Sequence, residues 1–152
     1  MTNLFDTALR VGSQHPGATN SKPGYLLRRQ DLAWEVISQL NLNPADEGLV
    51  QRLAGRSISN DPTDEFNIGI YRMTSGMKHP LHAHASSAEF YYVLDGEAHF
   101  TVGDHTAVSG TGTAIYIPAG MPHAIKSVEG QEMELLYFFS NPDIAAVGTR
   151  WF

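Results

Sequence analysis

The stretch GMKHPLHAHASSAEFYYVLDG, residues 76–96, decides the fold together with GTAIYIPAGMPHAIKS, residues 112–127. The first stretch contains His82, His84 and Glu89, and the second contains His123. Side chains alternate faces along a strand, so His82 and His84 point the same way. Glu89 opens the next strand segment and supplies an anionic oxygen. Imidazole nitrogens and a carboxylate suit a transition metal, and we interpret the four residues as one metal site inside a β-barrel.

The glycines and the proline around these residues also keep a defined spacing. It reads G-x5-H-x-H-x4-E-x6-G from Gly76 to Gly96 and G-x5-P-x-G-x2-H-x3-S from Gly112 to Ser127. This spacing resembles the two sequence blocks of the cupin family. Only the last position departs, because Ser127 stands where the family usually has Asn, and that position is not one of the family's metal ligands.

The resemblance implies a mainly β fold, a single cupin jelly-roll β-barrel that holds one divalent transition metal. The ligands it implies are His82, His84, Glu89 and His123, the last of which follows a turn that places it opposite the first pair. Iron(II) is favoured. Manganese, nickel, zinc, cobalt and copper stay open, because metal supply and geometry decide among them in the cell.

The composition predicts one globular domain. A chain of 152 residues with 42% hydrophobic residues can form one sizeable core. The absence of cysteine excludes zinc fingers, iron–sulfur sites and disulfides, so any metal must be held by nitrogen and oxygen donors. With a formal net charge of -6 and no basic patch, we expect no nucleic-acid partner. No apolar run is long enough to span a bilayer and the first residues lack a secretory signal, so we expect no membrane partner and a cytoplasmic protein.

Residues 1–55 are expected to form an arm and two short helices that pack on a barrel of residues 56–152, all within one structural domain. The arm, residues 1–29, is polar and broken by glycine and proline. Apolar residues recur at helical spacing from Gln30 to Leu40, which predicts a first helix. Asn43 and Pro44, followed by two acidic residues, predict the start of a second helix that ends at Gly55. The barrel would therefore carry a short N-terminal helical extension.

After Gly55 the sequence changes to short runs rich in β-branched and aromatic residues, separated by glycine, aspartate, asparagine and proline. We expect hairpin turns at Asp95-Gly96 and Gly103-Asp104, because these residue types tolerate the positive φ that such turns need. The runs predict the strands of an antiparallel barrel: Phe66–Met73, Glu89–Leu94, Ala98–Val102, Ala114–Ile117, His123–Val128 and Met133–Phe139.

Tyr91 is the candidate catalytic residue. If Glu89 faces the barrel interior, alternation places Tyr91 and Val93 inside as well, with Phe90 and Tyr92 outside. A phenol beside a divalent cation can have its pKa lowered from about 10 and then act as a general base or acid. Aromatic filling of the barrel is the competing interpretation of Tyr91.

The site predicts an enzyme that acts on a small carboxylate or carbonyl substrate. The His-x-His, Glu-x-Tyr and His set is similar to that of the small cupin lyases that cleave dimethylsulfoniopropionate to dimethyl sulfide and acrylate, and this redox-neutral lyase, with Tyr91 as its base, is our first hypothesis. An iron(II)-dependent dioxygenase of a small diketone or phenolic substrate would need the same ligands and no base. A polyketide cyclase or a sugar isomerase is a further alternative, and a non-catalytic ligand-binding barrel is the last.

Two further expectations concern partners and the chain end. A small molecule is the expected substrate, and a homodimer would cover an unpaired sheet edge. The C-terminal Trp151 and Phe152 are expected to cover the barrel. The remaining histidines are not assigned to the metal, and His79, just outside the motif, is the one whose position needs checking against the structure.

Overall fold

The computed structural model describes residues 9–11, 24–56 and 63–152. Most of the expected N-terminal arm lies outside the described residues. One short helix, α1, covers Ile37–Asn41 in the described part of the chain, and single 3-10 turns lie at Arg29–Asp31 and Ile144–Ala146. The strands are β1 Leu9–Val11, β2 Gly24–Leu26, β3 Glu35–Val36, β4 Leu49–Ala54, β5 Asn67–Met73, β6 Lys78–His84, β7 Glu89–Val102, β8 His105–Gly110, β9 Ala114–Ile117, β10 His123–Ser127, β11 Met133–Phe139 and β12 Thr149–Trp151.

Ten of these strands form one curled antiparallel sheet. The neighbours run in the order β12, β6, β10, β7, β11, β5, β4 and β3, with β8 and β9 also paired to β7. Strands β1 and β2 form a separate antiparallel pair. The chain is therefore mainly β, and the sheet fits the predicted cupin jelly roll.

Strand β7 connects the two halves of the sheet. Its first half pairs with β9 and β11, and its second half pairs with β8 and β10. A β-bulge opposite Glu134 and Leu135 bends the strand between the halves. Gly96 has a φ of 72°, and a Cβ there would lie 1.9 Å from the carbonyl oxygen of Glu132. The expected hairpin turn at Asp95-Gly96 is therefore wrong, because the glycine serves a bend within one continuous strand.

Most of the predicted strands and the second hairpin turn are confirmed. Ala114–Ile117 and Met133–Phe139 have the expected bounds, and Phe66–Met73 and His123–Val128 each exceed the observed strand by one residue. Glu89–Leu94 and Ala98–Val102 are parts of the single strand β7. Gly103 has a φ of 61° in the turn between β7 and β8, where Val102 pairs with His105. The short strands β8 and β12 were not predicted.

The second predicted helix is wrong. Strand β4 occupies Leu49–Ala54 and pairs along its length with β5. The first predicted helix is largely wrong, since α1 covers only the end of Gln30–Leu40 and β3 precedes it. Leu42, in the left-handed conformation with a φ of 58°, ends α1. The division of the chain at residue 55 stays a prediction.

Tertiary pairing explains both corrections. The edge of β5 offers a row of backbone hydrogen-bonding groups, and pairing with β4 satisfies them. Val50 is 3% exposed in the resulting strand. The capping signals at Asn43 and Asp46 act instead in a turn: the Asn43 side chain accepts a hydrogen bond from the backbone of Ala45, and Asp46 is buried.

The core lies inside the curl of the sheet. Alternation along β11 buries every second residue: Met133, Leu135, Tyr137 and Phe139 are each 5% exposed or less. Buried residues of β5, β7 and β10 pack against them. No helix in the part of the chain that the structure describes combines the length and the apolar character needed to cross a bilayer.

Leu135 and Leu136 give a test of this inward and outward alternation. Leu135 is fully buried, whereas its neighbour Leu136 is only half-buried on the other face. We expect Leu135→Ala to lower the free energy of unfolding by about 2–5 kcal/mol, because it removes buried methyl groups and leaves a cavity. Leu136→Ala should cost clearly less. Chemical denaturation of both variants measures the difference, and equal losses would contradict the described register.

Candidate metal centre

The four predicted ligands meet at one end of the core. His82 and His84 lie at the end of β6, Glu89 opens β7, and His123 opens β10. Strand β10 lies between β6 and β7, so that His123 pairs with His82 on one side and with Val102 on the other. Each of the four ligands is 6% exposed or less, and one donor atom from each lies within 4.8 Å of the others.

The distances between the donor atoms fit a single metal ion. Nε2 of His82 lies 3.1 Å from Nε2 of His84. Oε2 of Glu89 lies 2.8 Å from Nε2 of His123 and 3.3 Å from Nε2 of His84. Metal–ligand bonds of about 2.1 Å place neighbouring donors of a six-coordinate site about 3 Å apart. The four residues could therefore hold one ion without a change of backbone.

Each imidazole is oriented by a contact at its other nitrogen. Nδ1 of His82 donates to the carbonyl oxygen of Pro80 at 2.7 Å, and Nδ1 of His123 donates to that of Met121 at 2.9 Å. Nδ1 of His84 lies 3.0 Å from Oγ1 of Thr149. Because a carbonyl oxygen only accepts, the proton of a neutral His82 or His123 ring lies on Nδ1, and Nε2 presents its lone pair to the centre of the site. This arrangement is typical of histidines that bind a metal.

Burial and neighbouring charge keep these groups in the forms a metal needs. Burial first, and then the nearby rings of His79, His123 and His84, lower the pKa of His82 to about 2, so its imidazole is neutral. Burial alone would raise the pKa of Glu89, but hydrogen bonds with His123 and His84 hold it well below its usual range.

A cavity of about 320 Å³ opens onto three of the four ligands: His82, His84 and Glu89 are in its wall. Most of the remaining wall is apolar or aromatic, with contributions from Tyr91, Tyr137, Phe139 and Trp151. A mostly apolar cavity with a few convergent polar groups is the usual form of a small-molecule site. Its size suits a small substrate beside a metal ion.

Tyr91 lies where the alternation predicts, on the inner face of β7. It is 3% exposed and lines the cavity, whereas Tyr92 is exposed on the outer face. Burial first, and then the charge of Glu89 and a hydrogen bond to it, raise the pKa of Tyr91 well above its ordinary value. The Tyr91 phenol is therefore protonated, and it lies beside the ionised carboxylate of Glu89. Its catalytic role stays a prediction.

Several site residues were not found from the sequence. Thr149 supports His84 from β12, and the Trp151 ring lies 4.9 Å from that of His82. Trp151 thus covers the barrel, as expected, whereas the expectation is wrong for Phe152, which is 60% exposed. His79, left unassigned, lines the cavity with its ring 4.3 Å from that of His82. A signal existed for Trp151, as an aromatic residue close to the chain end, and for His79, which lies just outside the motif.

Ser127, the one departure from the family pattern, has a structural role. Its Oγ accepts a hydrogen bond from the backbone nitrogen of Gly76 at 2.9 Å, and its own backbone nitrogen donates to the carbonyl of Met77. Ser127, at the end of β10, therefore hydrogen-bonds Gly76, the first residue of the first cupin sequence block.

Known proteins are similar to this chain in sequence and fold. Residues 69–139 match the family described as Cupin domain. An uncharacterised protein of Streptomyces coelicolor is 31% identical over 77 residues, which are 51% of this chain and 71% of that relative. The chain belongs to the cupin superfamily.

The similar proteins with a named activity include a lyase and a cyclase. The dimethylsulfoniopropionate lyase DddQ of Ruegeria pomeroyi is 30% identical over 88 residues, which are 57% of this chain but only 43% of the lyase. Its crystal structure has a TM-score of 0.60 at 25% identity and covers 74% of this chain and 57% of that one. The polyketide cyclase RemF of Streptomyces resistomycificus has a TM-score of 0.63 at 25% identity, over 78% of this chain and 85% of that one. The chain thus spans about half the length of the lyase and most of the length of the cyclase.

Thr149 allows a test of the site that leaves all four donors in place. We expect Thr149→Val to weaken metal binding about 10–100-fold, because the His84 ring loses the contact that orients it. The matched control is Thr101→Val, which removes a hydroxyl contact with Thr106 on an exposed hairpin. Competition with a coloured chelator measures both affinities, and an unchanged affinity in Thr149→Val would contradict the described orientation.

Proposed function

We propose that the protein is a mononuclear metal-dependent cupin enzyme that acts on a small carboxylate or carbonyl substrate. The observation that carries this proposal is the convergence of three imidazole nitrogens and one carboxylate oxygen at the wall of an apolar cavity. A site that faces a cavity leaves coordination positions for substrate, which separates a catalytic metal from a structural one. Iron(II) is the favoured ion, and manganese, nickel, zinc, cobalt and copper are alternatives for the same donors.

The reaction we favour is the redox-neutral cleavage of dimethylsulfoniopropionate. Support comes from the similarity to the lyase DddQ and from the position of Tyr91 beside Glu89. A bound metal would supply Lewis acidity to the substrate carboxylate and make the α-hydrogen more acidic. Tyr91 would take the α-proton, the electrons of the C–H bond would form the carbon–carbon double bond, and the bond to sulfur would break to release dimethyl sulfide and acrylate.

The protonation state of Tyr91 sets a condition on this reaction. Burial first, and then the charge of Glu89 and a hydrogen bond to it, raise the Tyr91 pKa and oppose loss of the phenolic proton in the described structure. A divalent cation bound to Glu89 would offset that charge and bring the pKa down. Tyr91 is therefore a base only in the metal-loaded protein, and the metal-free protein should be inactive.

A polyketide cyclase is the second candidate. The similarity to RemF covers 85% of the cyclase, whereas the similarity to DddQ covers 57% of the lyase structure. A cyclase reaction is also redox-neutral and would use the same four donors. The cavity volume of about 320 Å³ favours the smaller substrate.

Acrylate release tests the lyase. We expect the iron- or manganese-loaded protein to convert dimethylsulfoniopropionate to acrylate without oxygen, and chelation to abolish the activity. Chromatography of the products measures the turnover. No acrylate with either metal would contradict the lyase. Oxygen uptake that depends on an added diketone or phenol would instead support the dioxygenase.

Tyr91→Phe tests the proposed base, with Tyr92→Phe as its matched control. Tyr91 faces the cavity, whereas Tyr92, its neighbour in sequence, faces outwards and is 42% exposed. We expect Tyr91→Phe to lower kcat about 100-fold or more, in the range of general-base catalysis, with metal content unchanged. Tyr92→Phe should keep the wild-type kcat. Normal turnover by Tyr91→Phe would exclude it as the base.

A further inference from the structure

Three tyrosines line the cavity, and Tyr137 differs from the other two. The Tyr71 hydroxyl shares a hydrogen bond with the Asp46 carboxylate. The Tyr91 hydroxyl does the same with Glu89. The Tyr137 hydroxyl has no hydrogen-bond partner within the described residues, and it is not among the unpaired polar atoms that are closed off from the cavity. A ligand in the cavity can therefore reach this hydroxyl group.

Strand pairing fixes the position of Tyr137 in the cavity wall. On β11, Tyr137 pairs with Tyr91 of β7 on one side and with Gly69 of β5 on the other. Gly69 in turn pairs with Arg52 of β4. Side chains of directly paired residues lie on the same face of a sheet, about 5 Å apart. The four residues thus form one row across the inner face of the sheet, next to the row that contains Glu89.

Gly69 leaves room for the hydroxyl group. A Cβ at Gly69 would lie 2.4 Å from the Tyr137 hydroxyl oxygen and 2.6 Å from the ring carbon that carries it. Any side chain at position 69 would therefore displace the end of the phenol. The glycine allows the Tyr137 ring to lie across β5, with its hydroxyl group next to the backbone of that strand.

Packing alone does not explain this hydroxyl group. Tyr137 is 5% exposed and belongs to the core, in which a phenylalanine ring would fill nearly the same volume. Phe139, the next inward-facing residue of β11, is equally buried without a hydroxyl. A buried hydroxyl that lacks a protein partner costs free energy. An oxygen atom of a ligand that accepts its hydrogen bond would remove that cost.

A single aromatic ring lies between Tyr137 and the ligand His84. The centroid of the Phe139 ring is 4.9 Å from that of His84 and 5.8 Å from that of Tyr137. All three residues line the cavity of about 320 Å³, whose volume suits a small organic molecule. A substrate that binds the metal through one oxygen therefore has room to place a second oxygen at Tyr137.

The Tyr137 phenol keeps its proton and can donate it in a hydrogen bond. Burial raises the pKa of Tyr137 above its ordinary value; the charge of Arg52 lowers it, and the charges of Glu89 and Glu35 raise it further. Glu35 also holds the Arg52 guanidinium through two hydrogen bonds of 2.8 Å each. A protonated phenol donates to an oxygen acceptor, whether that oxygen is neutral or charged.

We propose that Tyr137 is a substrate-binding residue whose hydroxyl donates a hydrogen bond to a substrate oxygen that the metal does not bind. This inference rests on the proposed function, in which a small carboxylate or carbonyl compound binds at the metal. The acceptor is either the second oxygen of a metal-bound carboxylate or a carbonyl oxygen further along the substrate. Either bond would fix the substrate at a second point, in the same row of the sheet as Tyr91.

Three ligands of the cobalt-loaded protein test this hydrogen bond without turnover. They are imidazole, which binds a metal through nitrogen and has no oxygen, pentanoate, and 4-oxopentanoate, which adds a carbonyl to the same chain. The visible absorption of the bound cobalt measures the three affinities. We expect Tyr137→Phe to weaken carboxylate binding about 5–10-fold, the usual effect of one hydrogen bond, and to leave imidazole binding unchanged. A loss for both carboxylates supports the carboxylate oxygen as acceptor, and a loss for 4-oxopentanoate alone supports the carbonyl.

Tyr116→Phe is the matched control, because it removes a phenol hydroxyl from the outer face of the sheet, where Tyr116 is 65% exposed. It should keep all three affinities. Because the Tyr137 hydroxyl has no partner within the described residues, Tyr137→Phe should also keep the metal content and the melting temperature of the wild type.

Two results would overturn the inference and leave the proposed function in place. They are unchanged affinities of Tyr137→Phe for both carboxylates and an equal loss of affinity for imidazole. A wild-type protein that binds imidazole but neither carboxylate would contradict the proposed function itself, and the inference would be lost with it.

Discussion

The rest of the structure depends on the orientation of three buried imidazoles. Backbone carbonyls fix two of the rings through Nδ1, so that their Nε2 atoms face the same point as the Glu89 carboxylate. Polar groups buried without partners are costly, and converging lone pairs repel each other. A cation at their centre removes both costs. The geometry of the site is therefore best explained by the ion it could hold.

The strand order of the sheet brings the four side chains together. Strand β10 lies between β6 and β7, which brings His123 beside His82 although 40 positions separate them in the chain. The bulge at Leu94 lets β7 belong to both halves of the sheet, with Glu89 at its start facing the interior. Short strand β12 then adds Thr149 behind His84 and Trp151 over His82. Carbonyl groups two residues away orient the rings of His82 and His123, whereas His84 is contacted by Thr149 from a distant part of the chain.

The meeting of the four candidate ligands and the strands that carry them could be predicted because their signals are local. The alternation of faces along β7 and the His-x-His spacing on β6 need no knowledge of distant residues. Strand β4 could not be predicted, because Asn43, Pro44 and the acids that follow favour a helix locally, and only pairing with β5 outweighs them. The same limit applies to Thr149, since nothing near it in the sequence indicates that it contacts His84.

The central claim is that His82, His84, Glu89 and His123 bind one metal ion together. A crystal structure of the manganese-loaded protein, with anomalous diffraction measured at the manganese edge, tests it most directly. The account predicts one anomalous peak per chain, about 2.0–2.3 Å from the three Nε2 atoms and a Glu89 oxygen. A protein that crystallises with its fold intact but shows no peak there, or shows the ion bound elsewhere, would contradict it.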